Sequence, residues 1–354
     1  MNINGIGIVF NRGRGLDCLE KALRDGWKKP AEVTALHSKN KKSFVYQVDS
    51  ETISDRTLLK KMRRADKLSK MAVLAASDAL ANSEVEITNK KIGIIASTAF
   101  GAHVTTFDFL NDILDYGDVN VSPTAFSNSV HNAAASYISS SLNIQGPALT
   151  VTQFFSSFYS ALQLAGVWLN ENRCDYILAG AFEQYGDVLG YIYDSKLTPA
   201  ADGRIKPFNF KPTYHVPGEG AVFFLLGNEI SENAYCRIEN PSRGRDSYNA
   251  KADLNIICAD GLLSDESVYL PAISTDIPTA AYSPLFGSMM INSAFNYAAG
   301  ALMLKNQMCY ASPVKDNPRG IYIIDETRRS DIELIQCISY NCRNEKAVIS
   351  LRKI

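Results

Sequence analysis

Residues able to do chemistry are few in this 354-residue chain, and they are poorly grouped. Its four histidines are His37, His103, His131 and His215, none of them beyond residue 215. Its seven cysteines are Cys18, Cys174, Cys236, Cys258, Cys309, Cys337 and Cys342, with no CxxC pair and no metal-ligand spacing. An odd number in a chain this long fits reduced thiols and a cytoplasmic location rather than a disulfide framework. No metal and no cofactor are expected. Gly218 and Gly220 form no phosphate loop, because no Gly-rich turn runs from a strand into a helix carrying Lys. Glu183, Asp187 and Glu219 lack a spacing suited to paired acid–base work. Ser156 and Ser157 could act as nucleophiles only with an adjacent base. None is visible, so they read as helix caps. His131, in SNSVHN, and His215, in TYHVPGEG, read as structural residues bonded to nearby backbone. Cys258 and Cys342 read as buried small residues.

The stretch best built to position a reactive group is Leu142–Glu183, LNIQGPALTVTQFFSSFYSALQLAGVWLNENRCDYILAGAFE. It reads as a turn at Gly146-Pro147, a buried strand Ala148–Thr152, a helix from Ser156 to Asn170 and a second buried strand Tyr176–Ala181. Phe158, Leu162, Ala165 and Trp168 follow the helical period, and both strands are short apolar runs of the kind covered on two faces. The turn Gln153–Ser157 therefore faces a helix N-terminus, where free amides and the dipole favour negative charge. That turn holds no Cys, and Phe155 stands in its middle.

The rest of the chain supplies the frame. Strands are expected at Ile3–Phe10, Phe44–Gln47, Ile92–Ser97, Ala221–Leu226, Leu254–Cys258, Gly320–Ile324, Cys337–Tyr340 and Ala347–Leu351. Helices are expected at Leu16–Asp25, Arg56–Asn82 (with Ser54 as its cap), Phe100–Tyr116, Asn132–Leu142 and Met289–Met303, and a loop at Val121–Phe126. Strand–helix alternation gives an α/β class. The net charge of -1 argues against nucleic acid or an anionic membrane as partner. The start MNINGIGIVF lacks a basic region and a cleavage site, so no signal peptide is expected. No apolar run reaches about 20 residues, so no membrane span is expected.

These segments resemble the β-ketoacyl synthases, condensing enzymes of the thiolase fold. INGIGIV is similar to the family's opening strand and MRRADKLSKMAVLAASDAL to its first long helix. NIQGPALTVTQFFSSFYSALQLA resembles the stretch that carries the nucleophile, KPFNFKPTYHVPGEGAVFFLL the glycine turn and strand after it, and SAFNYAAGALML the late Ala-Gly helix. The resemblance implies two pseudo-repeated βαβ halves in a five-layer αβαβα sandwich. These would be an N-terminal half over residues 1–230 and a shortened C-terminal half over 231–354.

Family catalysis uses a Cys, two His and a Lys. Matched residue by residue, the Cys position falls on Phe155, the first His on Asp260, the second His on Ala294 and the Lys on Met289. The glycine-rich gating segment is represented by ISYNCRNEKA, with no Gly and with Cys342 about where a gating Phe would stand. Both family histidines come from the C-terminal half, and this chain has none there. Removing one member of such a unit costs as much as about 10⁶-fold in rate. A benzyl group at Phe155 also obstructs an acyl pocket.

The resemblance therefore implies a chain length factor, an inactive subunit that pairs with an active β-ketoacyl synthase and shapes the tunnel of the growing chain. The aromatic-polyketide type carries Gln at the Cys position, from which Phe155 departs, whereas the short C-terminal half and NSVHN are more similar to partner subunits of bacterial aryl polyene or related pigment systems. The resemblance implies that strand Ala148, Leu149, Thr150, Val151 and Thr152 pairs with the same strand of the partner. Phe107, Leu110, Ile113, Leu114 and Phe126 would then lie at the tunnel or interface, although helical spacing fits core packing equally. Lys60, Lys61, Arg63 and Arg64 would meet an acidic acyl carrier protein, although charge runs are usually solvated faces. Two other functions stay open: a thiolase-fold enzyme with altered acyl-thioester chemistry, and a homodimeric carrier-binding scaffold.

Overall fold

A computed structural model describes residues 1–34, 42–117, 119, 121–239, 242–243 and 252–354. His37 lies outside the described residues. The architecture is a repeat. In the N-terminal half, strands Asn2–Phe10 (β1), Ile92–Thr98 (β2), Ala148–Thr152 (β3), Tyr176–Glu183 (β4) and Gly220–Gly227 (β5) lie in the order β3-β2-β4-β5-β1. β2 runs parallel to β3 and β4, while β5 is antiparallel to both β4 and β1. The second half repeats this pattern with Cys236–Ile238 (β6), Leu254–Ile257 (β7), Thr279–Ala280 (β8), Leu334–Tyr340 (β9) and Lys346–Arg352 (β10), in the order β8-β7-β9-β10-β6. Its directions match strand for strand. The halves join where β1 and β6 pair antiparallel, Asn2 opposite Arg237 and Ile3 opposite Cys236.

Helices fill the layers. The Ala-rich helix Lys67–Ala81 (α1) lies on β1 and β5. Glycine in INGIGIV makes that close approach possible, since a Cβ on Gly7 would stand 2.0 Å from the Ala75 carbonyl oxygen. His103–Tyr116 (α2), Pro123–Asn128 (α3) and Ala133–Leu142 (α4) follow, the last packed on α1. Ser157–Asn170 (α5) and Asn292–Asn306 (α7) form the middle layer, where the Phe158 ring lies 5.7 Å from that of Tyr297. Asp187–Lys196 (α6) leads away from β4. The outer face of the second half is covered more thinly. The single 3₁₀ turn Ser267–Ala272 brings Tyr269 and Ala272 onto Ile338 and Val348.

Several sequence expectations need correction. Arg56–Asn82 is not one helix. Asp55, not Ser54, caps a short turn Arg56–Leu59 by accepting from Thr57 N and Leu58 N, and Asp66 caps α1 by accepting from Ser69 N. A second strong cap inside a helix-forming run restarts the helix and leaves Lys60–Arg64 as a turn. Val121–Phe126 is not all loop: Ser122 caps α3 with Pro123 in its first turn, a place where proline fits. Gly320–Ile324 is not a strand and makes one bridge, Ile323 with Thr279. Strand β3 is not buried within the chain. It pairs with β2 on one side only and its residues are exposed or half-buried, because it forms the sheet edge.

The α1–β1 approach gives a stability test. Gly7→Ala forces the helix off the sheet and lowers unfolding stability by at least about 2 kcal/mol. A urea midpoint equal to that of the parent chain would contradict this packing.

Candidate functional site

The turn after β3 is tied down by its own side chains. Gln153 N donates to Ser157 Oγ at 2.7 Å, and Ser160 Oγ donates to Gln153 Oε1 at 2.6 Å. The Ser157 hydroxyl also reaches Thr98 O at 3.0 Å and Phe154 O at 2.7 Å, so its bonds fasten the turn to the end of β2. Ser156 makes no side-chain capping bond to α5, contrary to expectation, and Ser157 fastens the turn instead.

Phe155 follows, half-buried and turned toward the second half. It packs on the cluster of Leu263, Tyr269 and Ile338 and on that of Leu189, Tyr193 and Leu262. Phe155, Asp260 and Met289 meet around one cavity, together with Cys258, Ser293 and Tyr340. Its volume is about 20 Å³, room for about one water. Ala294 does not line this cavity; it is buried in α7, and its neighbour Ser293 faces the space. Tyr340, in the segment ISYNCRNEKA, closes one side. Cys342 is exposed, contrary to the expectation of burial, because it sits on the turn between β9 and β10, beside an open cleft. Cys258 is buried as expected, and burial pushes its thiol well above the usual range.

The loop Asp260–Glu266 is folded around two buried carboxyls. Asp260 Oδ1 accepts from Leu262 N and Oδ2 from Met289 N, both at 3.2 Å. Glu266 Oε1 accepts from Asp260 N at 3.0 Å and Gly261 N at 2.8 Å. Gly261 is required here: φ is +83°, and a Cβ would stand 2.1 Å from Tyr214 O. Burial raises Asp260 to about 7 against the pull of its backbone donors. Burial and the neighbouring Asp260 raise Glu266 well above its usual range. Glu266 carries no mark in residue type or spacing, standing among the polar residues Ser264, Asp265 and Ser267. At the end of β4, Glu183 is also buried, accepts from Ala99 N at 2.9 Å and Phe100 N at 3.2 Å, and is raised to about 8 by burial.

Other titratable groups are structural. Glu219 is buried, accepts from Val48 N at 2.7 Å and pairs with Lys67. His215 is buried with Nδ1 3.0 Å from Thr198 O. Among the described residues no group of three His, Cys, Asp or Glu is arranged to hold a metal, and no helix is long and apolar enough to cross a membrane.

Leu149 on β3, Phe107, Leu110 and Leu114 on α2 and Phe126 on α3 are all exposed, Leu114 at 81% and Phe126 at 60%, while Ile113 is half-buried. The alternative reading of α2 as a core helix does not hold, since none of its residues is fully buried. In the neighbouring turn Lys60, Arg63 and Arg64 are exposed, and Lys61 Nζ donates to Ser141 O at 2.8 Å, near the C-terminus of α4.

The repeated sheet with paired central helices defines a thiolase-type α/β fold. Residues 2–229 match the family model for the N-terminal domain of β-ketoacyl synthases, and the chain belongs to that family. No curated protein matches the chain in sequence. Among solved structures it is similar to a β-ketoacyl synthase from Burkholderia phymatum, with TM-score 0.81 and 16% identity over 100% of this chain and 99% of the other. It is similar to the ishigamide ketosynthase/chain length factor, with TM-score 0.80 and 14% identity over 100% and 98%. It is also similar to a type II polyketide synthase ketosynthase in complex with its acyl-carrier protein, with TM-score 0.80 and 14% identity over 100% and 99%. At these identities the likeness is one of fold.

The carboxyls of this site set a pH dependence. A folded-state pKa raised above the unfolded value makes stability fall as pH rises from about 4 through the folded value. Stability should thus decline between about pH 4 and pH 8 through Asp260 and Glu183. Asp260→Asn removes part of that slope, so its stability relative to the parent should improve by at least about 1 kcal/mol from pH 5 to pH 8. Parallel stability–pH curves for the two proteins would refute an uncompensated buried carboxyl.

Proposed function

We propose that this chain is a non-catalytic ketosynthase-like subunit. It pairs with an active β-ketoacyl synthase and shapes the tunnel in which an acyl or polyene chain grows, in polyketide or aryl polyene biosynthesis. One observation carries the reading: Phe155, Asp260 and Met289, at the positions the family uses for Cys, His and Lys, surround a cavity of about 20 Å³. No thiolate is offered in the nucleophile turn, and the space has no room for an acyl chain. Condensation needs an activated nucleophile and a group that stabilises the developing oxyanion. A benzyl ring and a thioether supply neither, and the Asp260 carboxyl is engaged with the backbone hydrogens of Leu262 and Met289.

Pairing rests on separate observations. An edge strand with free backbone groups beside a run of exposed apolar side chains is unusual in a monomer. The solved ketosynthase/chain length factor of the same fold supports a second ketosynthase-like chain as the partner. Under this reading β3 pairs antiparallel with its counterpart, and α2 and α3 border the tunnel. Truncating Phe107 or Leu110 to Ala should lengthen the product of the reconstituted pair. Unchanged product length across Phe107, Leu110, Leu114 and Phe126 variants that still assemble would remove the tunnel role.

The exposed turn Lys60–Arg64 is the proposed docking site for an acidic acyl carrier protein, as charge complementarity mainly sets encounter rate. Replacing Lys60, Arg63 and Arg64 by Ala should weaken carrier binding severalfold, most at low salt. An affinity independent of salt and of these residues would rule the site out. Lys61 contributes less, because its ammonium is engaged at Ser141.

A further inference from the structure

Phe154, the residue before the plug, is unexplained by the family comparison or by the packing of this chain. Its backbone has φ +46°, a left-handed conformation that bulky side chains enter rarely. Its side chain is 57% exposed, so the strained backbone serves no burial within the chain. The strain is nevertheless enforced. Ser157 holds the turn from both sides, through Gln153 N and through the Phe154 carbonyl, and Ser160 fixes Gln153. Phe100 stands edge-on to the Phe154 ring with centroids 6.0 Å apart, which limits where that ring can swing. A residue held in a sparsely populated conformation by surrounding bonds points to a function for what it presents. What it presents is an aromatic ring just beyond the end of the edge strand β3.

We infer that Phe154 is the anchor of the interface, a preset aromatic knob that enters an apolar socket on the partner ketosynthase. This rests on the pairing reading given above. The position favours a partner over solvent or a small ligand, for two reasons. The knob is continuous with the free edge of β3, whose backbone groups a second strand would complete. Leu149 on that strand also exposes an apolar side chain. Aromatic anchors of this kind carry much of the energy of protein interfaces, and preorganising one reduces the ordering cost of association. The two adjacent phenylalanines then have different tasks. Phe155 turns inward and fills the cavity, while Phe154 turns outward.

The test uses the tagged full chain and the ketosynthase that co-purifies with it from its native host. Phe154→Gly and Phe154→Asn both remove the ring and accept a left-handed backbone, so at least one should fold. The expected result is a dissociation constant raised at least about tenfold, with a thermal midpoint of the isolated chain that is unchanged or higher. Leu149→Asp, on the exposed strand edge, should also break the pair. If Leu149→Asp disrupts the pair while both Phe154 variants bind as the parent does, the anchor is overturned and the pairing reading stands. If no ketosynthase co-purifies, or if the chain is a homodimer alone, the pairing reading falls and the inference with it.

Discussion

One benzyl group governs how this molecule can be understood. Phe155 lies in the turn between β3 and α5 and packs on residues of the second half. Its ring joins two apolar clusters, one from the second half and one around α6, and leaves room for about a single water between itself, Asp260 and Met289. Opening that space would expose Phe155 and two buried carboxyls at once. The loop Asp260–Glu266 is arranged accordingly: each carboxyl accepts backbone hydrogens of its own loop or of Met289, so the pair stabilises a wall and faces no substrate.

Under the proposed reading, the functional surface is the sheet edge. β3 lies at the end of the N-terminal sheet and is paired on one side only. The same turn that carries the plug inward holds Phe154 outward in a conformation it would not choose. One of the hydroxyls that maintain this geometry, that of Ser157, belongs to the Ser156-Ser157 pair that the sequence offered as nucleophiles. A single short segment thus turns one phenylalanine inward and one outward, and α2 and α3 carry further exposed apolar residues.

Much of the fold was legible in the sequence because it is written in local signals. INGIGIV gave β1 and its glycines, and the periodic run after Ser156 gave α5. The hairpin pair at the C-terminus became β9 and β10, somewhat longer than expected. The errors arose where a local signal had a non-local rival. Arg56–Asn82 reads as one helix by composition, yet Asp66 caps a new start. Ala148–Thr152 reads as buried because it is apolar, but exposure depends on having a second neighbour, which a sequence does not state. Phe155, Asp260 and Met289 are matched from the family resemblance, and the structure gathers them around one cavity. Glu266 and Phe154 were missed. The burial of one and the backbone strain of the other are set by tertiary contacts, and neither leaves a mark in residue type or spacing.

The absence of a nucleophile in this chain, with chemistry supplied by a partner, is most directly tested by intact-protein mass spectrometry. The co-purified assembly would be incubated with an acyl thioester and each subunit weighed. The account predicts one acyl adduct on the partner ketosynthase and none on this chain. A stoichiometric adduct on this chain, mapped to Ser156, Ser157 or Cys258, would contradict it.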